Sequence, residues 1–206
     1  MKKMTNKEFL AQARLALELN TMYATGAFGA PVGVKNNRAR YAKNTKKKFP
    51  EQAKKIEAAE DDVFLFDCIG YVEGILWGWD AVVTALYGGA EYKKDGIPDF
   101  AIKNTPKYCS VWTDSDCADP DAILPGEVLV TDDNGHIAIY EGAGYILESS
   151  IRGSANVQRS LLGSRKWRGH GQLKWLDFVK EEYYQLGALR CPNCDYFIKL
   201  YSKDLD

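Results

Sequence analysis

The chain has no long apolar run, almost no net charge and no even set of cysteines for a disulfide framework. No stretch is apolar for long enough to cross a bilayer, so we expect no membrane insertion. The basic opening, Met1 to Glu8, is followed by Gln12, Arg14 and Glu18 instead of an apolar segment, so we expect no secretory signal. A formal net charge of −1 provides no general attraction to nucleic acid, and we expect no nucleic-acid partner.

Cysteine is present in an odd number, five, so a complete disulfide framework would leave one thiol unpaired. Without a secretory leader, reduced thiols are the expectation. Cys191 and Cys194 have a Cys-x-x-Cys spacing, which is half of a structural zinc site. Zinc binding, a labile disulfide and plain structural thiols remain open for this pair. We expect the function itself to need neither a metal ion nor another cofactor.

Apolar periodicity and capping residues divide the chain into helices followed by strands. Thr5 and Glu8 have capping-box spacing, Pro50 suits a first helical turn, and Asn134-Gly135 marks a hairpin turn. The patterns predict helices over 6–20, 50–59 and 68–79 and strands over 127–131, 136–141, 145–149, 157–161 and 172–178. They leave 23–33 as a loop, 35–49 as irregular and 88–125 as a long connection. This order predicts an α+β domain over 1–180, with 181–206 as a C-terminal extension of unclear role.

Cys68 and His136 are the two residues whose positions in the sequence indicate a catalytic function. Cys68 stands at the predicted start of an apolar helix, where exposed N–H groups favour a thiolate, so we expect a lowered thiol pKa. His136 begins a predicted strand and could serve as general base for such a nucleophile. Either residue alone is more often structural, a cysteine in an apolar helix being typically a buried small side chain. The pair together favours nucleophilic catalysis.

A general base of this kind needs a polar partner that holds the imidazole. In an antiparallel hairpin centred on 142–143, position 136 falls near 148 or 149. We therefore expect Glu148 to orient His136, with Ser149 and Asn156 as less favoured choices. His170, the second histidine, lies in a basic loop and is expected to have a surface role.

Two further features allow more than one interpretation. Residues 35–55 are strongly basic and read either as a solvated loop or as a surface that attracts an anionic polymer. Trp112, in the long connection, is a candidate for lining a sugar-binding or peptide-binding groove.

Four stretches together resemble the NlpC family of papain-like cell-wall peptidases, including versions found in phage lysins. They span roughly residues 5 to 178, and their order is more specific than any one of them. The matching stretches are Tyr23 to Gly29, Phe66-Asp67-Cys68-Ile69-Gly70, Pro125-Gly126-Glu127-Val128 and Gly135 to Gly142.

The resemblance implies a papain-like NlpC-type fold and hydrolysis of stem-peptide amide bonds in peptidoglycan, most often between γ-D-glutamyl and the diamino acid. It makes Cys68 the nucleophile, His136 the base and Glu148 the third polar residue. Tyr23 matches a tyrosine over the active site that assists binding or the oxyanion. Asp67 matches an acid expected to contact substrate.

Three positions depart from the family pattern. Ile69 replaces the usual serine after the nucleophile, Thr25 replaces an aromatic, and the third position, often histidine, is Glu148.

From these features we expect a peptidoglycan endopeptidase that works through a thioacyl-enzyme, as a phage endolysin or virion-associated lysin. It would be made in the cytoplasm, released with the help of a holin, and would act at the bacterial wall. The alternatives are an N-acetylmuramoyl-L-alanine amidase of the same fold and an inactive wall-binding or structural module. Bond choice, host, diamino acid and oligomeric state are left open.

Overall fold

The computed structural model describes residues 3–34, 36–79, 96–179, 183–190 and 197–203. Cys191 and Cys194 lie outside these residues, so the three interpretations of their spacing stay predictions. Within the described residues, no helix is both long and apolar enough to cross a membrane.

Within the described residues there are four α-helices, all in the first part of the chain, and the first begins as its capping box predicts. The Thr5 N–H donates to Glu8 Oε2 at 2.7 Å, and the Glu8 N–H donates to Thr5 Oγ1 at 3.1 Å. The helices are α1 (Asn6–Leu15), α2 (Asn37–Lys46), α3 (Pro50–Ala58) and α4 (Cys68–Leu76).

Helix α2 lies where the sequence predicted irregular structure, so that prediction is wrong. The helix buries Asn37, Tyr41, Ala42 and Thr45, and basic residues dominate the remainder of its length. Its apolar face is therefore too narrow to show in the sequence pattern.

The strands in the described part of the chain form one six-stranded antiparallel sheet and three smaller sheets. The large sheet has the order β5-β10-β6-β7-β8-β9, with β10 inserted between β5 and β6. Its strands are β5 (Cys109–Asp114), β6 (Val128–Thr131), β7 (Ile137–Gly142), β8 (Tyr145–Ser149), β9 (Val157–Leu161) and β10 (Trp167–Leu173). The smaller sheets contain β1 (Met4–Thr5), β2 (Thr21–Tyr23), β3 (Phe28–Pro31), β4 (Phe64–Phe66), β11 (Leu176–Asp177), β12 (Tyr183–Arg190) and β13 (Phe197–Lys203).

Strands β6 to β9 agree with the sequence prediction, whereas β10 begins five residues before the predicted strand at 172–178. The predicted long connection also contains regular structure, since it includes β5 and a 3-10 helix over Ile102–Tyr108. Strands β12 and β13 pair only with each other, antiparallel. The division into a domain over 1–180 and an extension remains a prediction.

Helix α4 is the centre of the main apolar core. It packs on β7 and β8 and contacts α1, and its Tyr71, Val72 and Ile75 are fully buried. The opposite face of the large sheet has its own apolar cluster, which includes Cys117, Ile123 and Trp167. The predicted α+β class, with Cys68 at a helix start packed on an antiparallel sheet, is confirmed.

The three-stranded sheet β2-β4-β3 positions the chain around the start of α4. Strand β2 pairs in parallel with β4, so Tyr23 lies opposite Phe66, two residues before Cys68. The prediction of a loop over 23–33 is wrong for β3, because its small Gly and Ala residues resemble those of a turn. Helix α4 approaches β3 closely: a Cβ added to Gly70 would lie 2.0 Å from the carbonyl oxygen of Ala27.

We therefore expect Gly70→Ala to lower the free energy of unfolding by about 1–3 kcal/mol or more, because backbone would have to move. The matched control is Gly163→Ala, since an added Cβ there meets nothing within 4 Å. Urea unfolding followed by circular dichroism measures both variants. Equal stability of the two variants would contradict the close approach of α4 and residue 27.

Candidate active site

Asp67 sets the start of α4 and thereby the position of Cys68. Its Oδ1 accepts the Gly70 N–H at 2.7 Å as a helix N-cap, and its Oδ2 accepts the Gly26 N–H at 2.6 Å. One carboxylate thus ties the helix start to the loop that follows Tyr23.

The same contacts give Asp67 a role in holding the backbone around the thiol. The carboxylate is buried, which raises its pKa to about 6 against the lowering effect of the Gly70 and Gly26 N–H groups. The contact between Asp67 and substrate that the resemblance implies stays a prediction.

The Cys68 thiol is 7% exposed and un-ionised at neutral pH. Burial, followed by the Asp67 charge, raises the thiol pKa to about 12, although the backbone N–H groups of Ile69, Ile137 and Cys68 act in the opposite direction. The expectation that the helix start would lower this pKa is wrong in its net result, because desolvation outweighs the N–H groups. Cys68 therefore needs a base to become a nucleophile.

His136 is bonded to Glu148 directly. The distance from His136 Nε2 to Glu148 Oε2 is 2.6 Å, and the two side chains are 12% and 2% exposed. Strands β7 and β8 pair Ile139 with Leu147, so 148 lies diagonal to 136 and not opposite it. Diagonal neighbours are within reach of long side chains, which explains the contact.

Glu148 has four side-chain partners. Besides His136, its carboxylate accepts hydrogen bonds from Ser160 Oγ at 2.8 Å, Gln158 Nε2 at 3.1 Å and Arg165 Nε at 2.8 Å. Burial alone would raise the pKa of Glu148, but the bonds from His136, Ser160 and Gln158 outweigh it and hold the pKa at about 2. The carboxylate is ionised across the physiological range.

Arg165 is a member of the site that sequence reasoning missed. Its side chain is 8% exposed and also donates from Nη2 to Ser150 Oγ at 2.9 Å. In the sequence, Arg165 is part of a basic run before β10, and such a run predicts a surface loop instead of a buried ion pair.

The environment keeps the His136 imidazole neutral at physiological pH. Burial lowers its pKa, the bond to Glu148 raises it, and the charges of Arg165 and Arg152 lower it again, with a net lowering. Because Nε2 is bonded to Glu148, Nδ1 is the ring nitrogen left for the thiol. A neutral imidazole can accept a proton, which is what a general base requires.

Tyr23 contributes a phenol hydroxyl to the site that holds Cys68 and His136. Burial, followed by the charges of Cys68 and Asp67, raises its pKa, so the hydroxyl stays protonated and can donate a hydrogen bond. Its ring meets Phe49 edge to face with centroids 5.8 Å apart, and its carbonyl accepts from Gln52 Nε2 at 3.0 Å.

Cys68, His136 and Tyr23 line one cavity of about 560 Å³. Arg165 also reaches its wall, while Glu148 lies behind His136 and is not part of the lining. The cavity is further lined by Thr25, Lys48, Phe49, Thr131, Asp132, Asp133, Gly135, Ser150, Ile151, Arg152, Gly163, Ser164 and Lys166.

Ser149 and Asn156 are the less favoured partners for His136. Ser149 Oγ donates to the Phe66 carbonyl at 3.0 Å, which holds the ends of β4 and β8 near each other. The main-chain carbonyl of Asn156 accepts the Ser150 N–H at 3.0 Å, which closes the loop between β8 and β9.

The expectation of a surface role for His170 is wrong. His170 is 5% exposed and its Nδ1 bonds to Glu127 Oε2, so it is a core residue. Trp112 lies in β5, packed over Gly169 and Gly171, and its part in lining a groove stays a prediction. Ile69, which stands where the NlpC pattern has a serine, packs against the main apolar core.

No family model and no curated protein sequence matches the chain. Among solved structures, NlpC1 from Trichomonas vaginalis is similar with 14% identity and a TM-score of 0.42, over 82% of this chain and 44% of that one. This chain therefore spans less than half of that protein. The P60 domain of an antigen from M. avium subspecies paratuberculosis is similar with 15% identity and a TM-score of 0.43, over 81% of this chain and 96% of that one.

Removing the Arg165 charge should raise the pKa of the His136 imidazole. In Arg165→Gln the carboxylate of Glu148 loses its second cation, so its attraction for a protonated His136 is no longer shared. NMR titration of the imidazole protons measures this directly, because the chain has only two histidines. Arg159→Gln is the control, since Arg159 pairs with Glu141 away from the cavity. An unchanged or lowered His136 pKa in Arg165→Gln would rule out this role.

Alkylation of Cys68 by iodoacetamide should accelerate about tenfold per pH unit from pH 6 to 9, because a thiol with a pKa of about 12 gains thiolate throughout that range. Mass spectrometry of the peptide containing Cys68 gives the rate at each pH. A rate that is already constant below pH 8 would instead show a preformed thiolate.

Proposed function

We propose that the protein is a cysteine amidohydrolase of the bacterial cell wall. The observation that carries the proposal is a buried thiol and an imidazole lining one cavity, with the imidazole bonded to an ionised carboxylate through its other nitrogen. Nucleophile, base and orienting group are thus supplied by Cys68, His136 and Glu148.

The geometry supports a two-step reaction. His136 Nδ1 takes the proton from Cys68 as Sγ attacks the amide carbonyl carbon, and Glu148 stabilises the imidazolium that forms. The oxyanion is received by N–H groups at the α4 start and by the Tyr23 hydroxyl. His136 then protonates the leaving amine as the C–N bond breaks, which leaves a thioester on Cys68.

Water completes the reaction. His136 takes a proton from the attacking water, the new C–O bond forms, and the C–S bond breaks as Cys68 leaves and is reprotonated. The products are a carboxylic acid and the free thiol, with no oxidant or cofactor consumed.

For the substrate we propose the stem peptide of peptidoglycan, cut between γ-D-glutamyl and the diamino acid. The support is the ordered set of stretches that resemble the NlpC family, with Tyr23, Cys68 and His136 of that set meeting at one cavity. We further propose a phage lysin released through a holin. Loss of host lysis when the holin is removed would support that setting.

Cys68→Ala should lose wall hydrolysis by about a thousandfold or more, since the nucleophile is gone while the fold is kept. Turbidity of a purified sacculus suspension measures lysis, and thermal melting checks the fold. Cys109→Ala is the matched control, because Cys109 lies in β5 outside the cavity lining. A fully active Cys68→Ala protein would refute the proposal.

Mass spectrometry of the digested muropeptides identifies the bond. New amino termini on the diamino acid show the endopeptidase proposed here, whereas free lactyl groups show an N-acetylmuramoyl-L-alanine amidase. A wild-type protein that binds sacculi without releasing fragments would instead be a wall-binding module.

A further inference from the structure

Among the described residues, two cations on the cavity wall beside Tyr23 have no counter-ion. Arg152 lies in the loop between β8 and β9, and Lys48 lies just before α3; both are exposed and both line the cavity. Across the parts of the chain that the structure describes, neither side chain has a hydrogen bond or an ion pair. Such charges are available to a ligand.

These two cations belong to one continuous wall. The Tyr23 N–H donates to the carbonyl of Ala155 at 2.7 Å, which docks the β8–β9 loop on β2. Gln52 of α3 donates to the Tyr23 carbonyl at 3.0 Å, and Phe49, next to Lys48, packs on the Tyr23 ring. Arg152, Tyr23 and Lys48 are therefore carried by three segments bonded or packed to one another.

The backbone that carries Arg152 is held in place. Its N–H donates to Ser150 Oγ at 3.1 Å, and the same oxygen accepts from Arg165 at 2.9 Å. The loop closes where the Ser150 N–H meets the Asn156 carbonyl at 3.0 Å. Because the loop is held at both ends, Arg152 is presented to the cavity from a fixed backbone, which lowers the cost of ordering it on binding.

The acids of the cavity lie on another segment. Asp132 and Asp133 belong to the turn between β6 and β7, and Asp133 accepts from Thr131 Oγ1 at 2.6 Å and from the Gly135 N–H at 2.8 Å. The remaining cation, Lys166, is adjacent to them, since its carbonyl accepts the Asp132 N–H at 3.3 Å. The two carboxylates are thus held on a different segment from Arg152 and Lys48, and among the described residues no ion pair joins them to these two cations.

We propose that Arg152 and Lys48 form a subsite for a free carboxylate next to the scissile amide of the substrate. This rests on the proposed function and makes it more specific. A glutamyl residue linked through its γ-carboxyl keeps its α-carboxylate free, only a few bonds from the carbonyl that Cys68 attacks. The subsite therefore selects stem peptides whose glutamyl α-carboxyl is an acid over those in which it is an amide.

The test uses two synthetic substrates, L-alanyl-γ-D-glutamyl-diamino acid with a free α-carboxylate and the same peptide with an α-carboxamide. The full-length wild-type protein should cleave the acid with a kcat/KM about fivefold or more above that of the amide, mainly through KM. In Arg152→Met with Lys48→Met, this preference should disappear because the acid loses affinity and the amide does not.

A matched control variant distinguishes the proposed subsite from a general effect of positive charge on substrate binding. Arg159→Met with Lys54→Met removes the same two charges from exposed positions outside the cavity and should keep the preference. Equal cleavage of acid and amide by the wild-type protein, or a preference that survives in Arg152→Met with Lys48→Met, would overturn the subsite.

Binding to the Cys68→Ala protein makes the result independent of hydrolysis. Calorimetry with L-alanyl-γ-D-glutamate and its α-amide should show tighter binding of the acid, and adding the Arg152 and Lys48 substitutions should remove the difference. If the wild-type protein cleaves neither tripeptide while this difference persists, the proposed reaction fails and the carboxylate subsite stands. If both dipeptides bind alike while wild type cleaves the tripeptides, the subsite fails and the reaction stands.

Discussion

The carboxylate of Glu148 joins more of this site than any other group. It accepts bonds from the residue before β7, from two side chains of β9 and from the loop before β10, so four side chains from three segments converge on two oxygen atoms. A buried carboxylate without such partners would be costly and would take up a proton. With them it stays ionised, and its charge gives the His136 ring one fixed orientation with Nδ1 free.

Different carboxylates hold the two halves of the site, and the pKa is lowered in one of them and raised in the other. Glu148 is surrounded by side-chain donors, which lower its pKa to about 2. Asp67 accepts hydrogen bonds from backbone N–H groups, and burial raises its pKa to about 6. Glu148 positions His136, and Asp67 positions Cys68. The thiol and the imidazole are therefore both neutral at rest, and charge is created only when the proton moves between them.

Local pattern was enough to predict the parts of the site that depend on neighbours in sequence. The capping box at Thr5, the hairpin strands β7 and β8, and the placement of Cys68 at a helix start all follow from residues a few positions apart. The contact between Glu148 and His136 could also be expected, although the register makes it diagonal. What could not be read locally depends on distant segments: the balance that raises the Cys68 pKa, the burial of His170, and the arrival of Arg165 at Glu148. Helix α2 was missed for another reason, since a mostly solvated basic helix shows little apolar periodicity.

The position of β10 has a consequence for how the protein folds. This strand comes after β5 to β9 in the chain, yet it lies between β5 and β6, and Arg165 stands just before it. A nascent chain that ends before Arg165 would contain the thiol, the imidazole and Glu148, but no strand would lie between β5 and β6 and Glu148 would lack its Arg165 partner. Because β10 pairs with strands that lie far earlier in the chain, this pairing forms slowly. The large sheet and the group of donors around Glu148 are therefore completed only after residues 165–173 have been synthesised.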